Sequence, residues 1–475
     1  MIALIAQLAG NDLKRINKEQ ASEFLRYSDT NIVHPLALVI FLAAAAWLFL
    51  GPRGKMSWSL LTIACLISTA QRFAIVTLDF GFIRAIGTLA LIRILTYGEL
   101  RSIRPHYADK AMLGYIVATI LFTVIREGVG GATQTAGFGL ACFSVYWIGR
   151  SSIRSGYDLR MMMVAIGVLA IPVSIFMTIE QVTGRNTFSI FGGISEFTAI
   201  RDGKLRSQGS FCHPIIAGVF YASFAPLAIG VVLSKSKGMM ALLSGWVCLA
   251  LCVVIILATN SSTPIAGLLL GVVAWCAFKF RRNLKIFLYI VILLMIVGHF
   301  TSTLGIHHVI FNKIDFTGSS TGMHRYFLID GMINNLSQWM IVGDTSHGYN
   351  KAFRDITNMY VMAGLTGGLV ALTLLIILVV AAFKGCTKAV RNAGNRQDRM
   401  ISYGLGCALF VMCVSYTAVH CYGEGVVPFF MLIGAAISIG QAPPGTNQFR
   451  EVAPSPEPYR QKPPVNRPEA QPART

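Results

Sequence analysis

Charge is what this sequence has least of. Only 13% of its 475 residues are charged and its mean hydropathy is +0.62, whereas a soluble globular chain carries about 25% charged residues. Acid is scarcer than base, with 21 Asp+Glu against 40 Lys+Arg and a formal charge of +19. The charge alone would suggest a nucleic-acid-binding domain. That class is excluded because the apolar residues fall in blocks of the length a bilayer requires. Cysteine is also thin, at 10 residues, and most lie inside apolar runs (Cys65, Cys142, Cys248, Cys252, Cys276, Cys407, Cys413). A secreted disulfide scaffold is therefore excluded, and these cysteines read as small packing residues. There is no Gly-rich Walker loop, zinc-type Cys/His spacing, Asp-x-Asp pair or internal repeat, so neither a held metal nor a cofactor is expected.

What is present is a series of apolar stretches: 34–50, 57–77, 80–97, 111–126, 130–149, 161–180, 213–233, 239–258, 264–279, 286–303, 356–383, 400–419 and 424–440. None alternates with a period of two, so they read as helices and not outer-membrane strands. The expected fold is an all-α, polytopic transmembrane bundle of about 12–13 spans. Basic residues mark alternate connections: Arg53 and Lys55; Arg101, Arg104 and Lys110; Arg150, Arg154 and Arg160; Lys235 and Lys237; Lys279, Arg281, Arg282 and Lys285; Lys384, Lys388, Arg391, Arg396 and Arg399. Short loops rich in Lys/Arg stay cytoplasmic, and all six fall on one side. With the tail they hold most of the +19, which is thereby mainly a topology signal. Residues 1–33 form a polar N-terminal segment whose apolar start is too weak for a signal peptide. Residues 34–440 form the transmembrane domain. Residues 441–475, with nine prolines from Pro443 to Pro472, read as a disordered cytoplasmic tail.

Two long connections, 181–212 and 304–355, lie on the other side, where function is usually placed. The first ends Arg201-Asp-Gly-Lys-Leu-Arg206-Ser-Gln-Gly-Ser-Phe-Cys-His213-Pro214. Gly203 and Gly209 suit tight turns, and Pro214 suits the first position of a helix. Arg201 and Arg206 are candidates for holding phosphate oxygens, Arg206 the better of the two; the alternative is pairing of these cations with Glu196, Asp202 or lipid headgroups. The second loop contains Gly318-Ser-Ser-Thr-Gly-Met-His324-Arg325. Ser320 or Thr321 would cap an amphipathic helix with Ile329, Ile333, Leu336 and Met340 on its apolar face. Arg325 then sits near a positive helix end, as a second anion site or a solvated surface residue. The loop closes through His347, Arg354, Asp355 and Asn358, the last three sharing one helical face. His347 is a candidate general base. Nearer the bilayer, Arg72, Arg84 and Arg93 accompany Asp79; Arg93 is the hardest to explain as snorkelling.

Taken in order, these residues resemble the O-antigen ligase and polymerase superfamily of bacterial polysaccharide assembly. Arg206 through His213-Pro214, leading into an apolar helix that continues to Pro226, is similar to that family's Arg-x-x-Gly-x-x-x-x-Pro start of a central span. Arg325, a helix, Gly343, Thr357-Asn358-x-Tyr360 and Gly364-Leu-x-Gly367 are similar to its "Arg, Gly-x-Gly, His-Asn-x-Tyr, Gly-Leu-x-Gly" block. Gln71-Arg72 through Asp79-Phe80 to Arg84 and Arg93 resembles ligase-like members more faintly.

The resemblance, covering residues 57–440, implies an inverting, metal-independent glycosyltransferase of the inner membrane acting on its periplasmic face. The donor would be an undecaprenyl-diphosphate-linked glycan, and the acceptor a sugar or lipid A-core hydroxyl. Arg206 and Arg325 would hold the diphosphate, with Arg201, Arg93, Arg354 and Asn358 as further binding candidates. This chain has Thr357 where the family has His. A base would therefore come from Asp355, His347 or His213, with ligase and polymerase both open. Other polysaccharide-assembly proteins are expected partners; nucleic acid is not. The rival readings are a lipid-linked-oligosaccharide flippase, which would favour broken or charged helices at midplane, and a non-catalytic export subunit. The concentration of unusual polar residues in two loops favours the enzyme.

Overall fold

The fold is that of a computed structural model describing residues 33–75, 78–280, 284–301, 321–344 and 356–443. The polar N-terminal segment up to residue 32, the tail from 444, and His347, Arg354 and Asp355 lie outside the described residues. The fold is 79% helical with few strands, and among the described residues eight helices are long and apolar enough to cross a membrane. In chain order the main elements are α1 (Pro35–Leu50), α2 (Met56–Leu66), a hairpin of β1 (Arg72–Ile75) and β2 (Leu78–Gly81), α3 (Phe82–Thr96), α4 (Tyr107–Ser152) and α5 (Gly156–Thr183). Then come a second hairpin, β3 (Ala199–Arg201) and β4 (Lys204–Arg206), α6 (Pro214–Leu233), α7 (Met239–Ala258), α8 (Ser262–Cys276) and α9 (Leu284–Thr301). The last are α10 (Thr321–Asn334), α11 (Leu336–Trp339), α12 (Met359–Asn392), α13 (Arg396–Ser415) and α14 (Val426–Gly440).

The continuous helix α4 is two antiparallel helices. Gly128, at φ 74° and ψ −176°, has a backbone that only glycine adopts without strain, and the chain doubles back there. Asp109 thereby meets Tyr146 at 2.5 Å and Arg150 at 2.9 Å. The two halves are the sequence stretches 111–126 and 130–149. On the outer surface of the first half, Leu113, Val117, Leu121 and Ile125 are all exposed, a four-residue spacing that suits a face meeting lipid.

The stretch 57–77 departs from expectation. Its helix ends at Leu66 because Ile67 is extended and the Ser68 hydroxyl accepts the Ala70 N–H at 3.1 Å, a local bond that competes with the helix. The chain then pairs Arg72–Ile75 against Leu78–Gly81. The aromatics Phe73 and Phe80 suit that pleated surface. In α12, Gly367 and Gly368 break the helix, and the backbone around the break docks on the preceding segment through Leu369 N–H to Met340 O and Asp344 N–H to Leu365 O, both 2.8 Å.

The basic connections gather at one end of the bundle. Arg53 donates to Ser151 O at 3.3 Å, Arg154 to Ser102 at 2.6 Å, and Arg160 to Ser236 at 2.7 Å. Glu99 accepts from Arg93 and Ser151 at the same end. The opposite end is closed by polar bonds between distant segments: His34 N–H and Gln71 at 2.8 Å, Gln71 and Phe191 O at 2.5 Å, and Ser210 and Cys65 O at 2.6 Å.

Candidate functional site

The site is at the end away from the basic loops. Its first part is the hairpin β3–β4, turned by Asp202 (φ 52°) and Gly203 (φ 73°). Two consecutive positive φ values at Asp-Gly make the tight turn that matches strand twist. The register sets Arg201 opposite Lys204 and Ala199 opposite Arg206. Side chains alternate along a strand, so Arg201, Lys204 and Arg206 share one face. Arg201 is half-buried and 3.7 Å from Asp202. Arg206 is only 7% exposed, and its Nε is sealed without a hydrogen-bond partner. Among the described residues no carboxylate reaches ion-pair distance of it. Burial, and then Arg201, hold its guanidinium below the ordinary value, with Asp202 opposing. A buried arginine without a counter-ion is costly.

The hairpin is fastened to the turn between α7 and α8. Asn260 donates to Leu205 O at 2.6 Å, and Ser207 N–H to Ala258 O at 3.1 Å. Arg206 is thus held on both sides by one turn. Three residues beyond that turn's Asn260, Thr263 accepts from Arg325 at 3.1 Å. The two arginines, 119 positions apart in sequence, meet the same corner of the fold. Sequence reasoning missed this turn. The signal was there in Asn260-Ser261-Ser262-Thr263-Pro264, a polar cap followed by an early proline between two apolar runs.

Residues 207–213 follow in a fixed path. Glu180, fully buried at the end of α5, accepts from Gly209 N–H at 2.9 Å, from Gln208 N–H at 3.1 Å and from Thr198 at 3.2 Å. Glu424, also fully buried, accepts from Thr69 N–H and Cys212 N–H, both at 3.2 Å. Neither glutamate was singled out from the sequence; an acid at the end of an apolar run is the signal that could have found Glu180. At the end of this segment His213 caps α6, with Pro214 at the first helical position as expected. His213 Nδ1 accepts the Ile215 N–H at 3.1 Å. An accepting Nδ1 carries no proton, so the ring's proton is on Nε2.

The second loop contributes α10, with Arg325 near its start. Its buried face is not Ile329, Ile333, Leu336 and Met340; Ile333, Leu336 and Met340 are exposed. Leu328, Met332 and Trp339 are buried instead, against Val361 and Leu365. The helix stops at Asn334, and the Trp339 indole donates back to Met332 O at 2.8 Å, which rotates the stripe by one residue. Arg126 fastens the far side, donating to Val342 O and to Thr366 O.

Two further candidates have other settings. Asn358 caps α12, accepting from Tyr360 and Val361 N–H at 2.9 and 3.1 Å and donating to Thr417 O at 2.9 Å. Its amide is engaged within the fold. Arg93 is at the opposite end of the bundle, bonded to Glu99 at 3.3 Å and to Leu48 O, and is not brought to Arg206. His420, unnoticed in the sequence, has a sealed Nδ1 without a partner and stacks beside Tyr422 at 5.9 Å. Burial pushes its imidazole down to about 4, so it is neutral at physiological pH. No protein-family model matches the chain, and no curated protein is significantly similar to it.

Proposed function

We propose that this chain is a membrane glycosyltransferase of polysaccharide assembly, resembling the O-antigen ligases and polymerases. It transfers a glycan from undecaprenyl diphosphate to a sugar hydroxyl at the extracytoplasmic face of a bacterial inner membrane. The observation that carries this reading is the convergence of Arg206 and Arg325 on the α7–α8 turn, Arg206 buried and without a counter-ion. The clustering of the basic loops at the other end supports the orientation, because such loops stay cytoplasmic.

In the reaction the acceptor hydroxyl attacks the anomeric carbon from the face opposite the diphosphate. The new C–O bond forms as the bond to the diphosphate breaks, and the diphosphate leaves with the electron pair. Negative charge grows on the leaving group, where positioned guanidinium groups are each worth about 100-fold or more in rate. The fixed 207–213 segment keeps Arg206 in place without reorganisation. The hydroxyl proton passes to a base, for which Asp355, His347 and His213 are the candidates; Nδ1 of His213 accepts the Ile215 N–H. Transfer of a finished glycan and transfer onto a growing repeat unit use the same chemistry.

Deleting the gene and analysing lipid-linked intermediates tests the proposal. Loss of a polymerase leaves single repeat units, and loss of a ligase leaves long lipid-linked chains unattached. Intermediates held on the cytoplasmic side would favour a flippase. Normal glycan, attachment and intermediates would contradict the proposal.

A further inference from the structure

We propose that the N-terminus of α8 is a third component of the anion site, its Ser262 and Thr263 backbone N–H groups donating to a phosphoryl group held between Arg206 and Arg325. This deepens the diphosphate reading and rests on it. Helix α8 runs Ser262–Cys276, and its N-cap residue Ser261 makes no side-chain capping bond. Pro264 has no N–H. The N–H groups of Ser262 and Thr263 donate to no group among the described residues; Thr263 is buried at 8% exposure and Ser262 is half-buried. Water ordinarily satisfies the first N–H groups of a helix; in a buried setting they require an acceptor.

The second, independent observation is Arg206. The residue is 7% exposed, its Nε is sealed without a hydrogen-bond partner, and among the described residues it forms no ion pair; its two neighbours are held to Ala258 and Asn260 of the turn that leads into α8. Arg325 reaches Thr263 itself. Two cations and an uncapped helix N-terminus of partial positive charge therefore share one corner. Backbone N–H groups at a helix start are suited to phosphate oxygens. A diphosphate offers two phosphoryl groups, more acceptors than one guanidinium can satisfy.

The test uses the full chain in detergent, with farnesyl diphosphate as probe in calorimetric titration and thermal unfolding alongside. Ser262→Pro removes one N–H while keeping the helix, because proline suits the first helical position. Ser261, at φ −123° and ψ 132°, already has the backbone that precedes a proline. Ser262→Ala keeps the N–H. Ser261→Asp caps the helix with its own carboxylate and needs no proline. Ser262→Pro and Ser261→Asp are expected to weaken binding about tenfold, the scale of one hydrogen bond to a charged group, with Ser262→Ala unchanged. If Ser262→Pro unfolds, Ser261→Asp decides, since it is expected to melt no lower than wild type. Wild-type affinity in the folded variants, with binding lost in Arg206→Ala, overturns the role of α8 and leaves the diphosphate reading standing. Wild-type affinity in both Arg206→Ala and Arg325→Ala overturns that reading and this inference with it.

Discussion

At the scale of single residues, Arg206 carries two opposed consequences. Its charge is buried and, among the described residues, without a counter-ion, which makes the fold less stable for having it. Arg206→Met, similar in reach and apolar, is expected to raise unfolding stability by about 1–3 kcal/mol while lowering transfer by about 100-fold. Thermal unfolding and an activity assay on the same preparation check both signs. His420 gives a pH dependence. Its folded pKa, about 4, is below the unfolded value near 6.5, so the unfolded state binds the proton first. The stability this neutral ring contributes is complete above pH 6.5 and is lost as pH falls towards 4. Between pH 7 and 5 the loss is expected to be about 2 kcal/mol, and His420→Gln should flatten that part of the stability profile. A profile unchanged by the substitution would remove His420 as its cause. Arg206 was legible from sequence because a cluster of cations is conspicuous in a loop on the side where positive charge is scarce. Glu180, Glu424 and His420 were not, because what distinguishes them is burial and long-range partners.

At the scale of elements, the helical hairpin α4 depends on one glycine and one ion pair. Gly128→Ala places a Cβ on a backbone conformation open to glycine alone and is expected to cost about 1–3 kcal/mol. Arg150 is fully buried, and Asp109 meets it with both carboxylate oxygens at 2.9 Å. Asp109→Ala leaves that guanidinium uncompensated and is expected to destabilise the protein by about 3–5 kcal/mol. Expression level and melting in detergent measure both. The spans were legible because apolar blocks of bilayer length allow few structures other than helices. The hairpins were not. Arg72–Gly81 lies within apolar sequence whose periodicity resembles a span, and its strands exist because Ser68 diverts the backbone. The apolar face of α10 was misread by one position, because a bulky Trp339 beyond the helix end outweighs the regular spacing of smaller residues.

At the scale of the whole molecule, the two ends of the bundle differ in kind. One end gathers basic loops, the pattern expected of loops that stay on the cytoplasmic side. The other end gathers the β3–β4 hairpin, the α7–α8 turn and the start of α10, which sequence separates and folding joins. Single-cysteine labelling from outside intact spheroplasts checks this polarity: a cysteine at Lys204 is expected to react, and one at Lys237 is not. Reaction at Lys237 alone would invert the orientation. The most direct test of the central claim is release of undecaprenyl diphosphate from a lipid-linked glycan by the purified chain in the presence of acceptor. Release by the wild type, reduced about 100-fold in Arg206→Ala and in Arg325→Ala, is the expected result; equal release by all three, or none by the wild type, would contradict it.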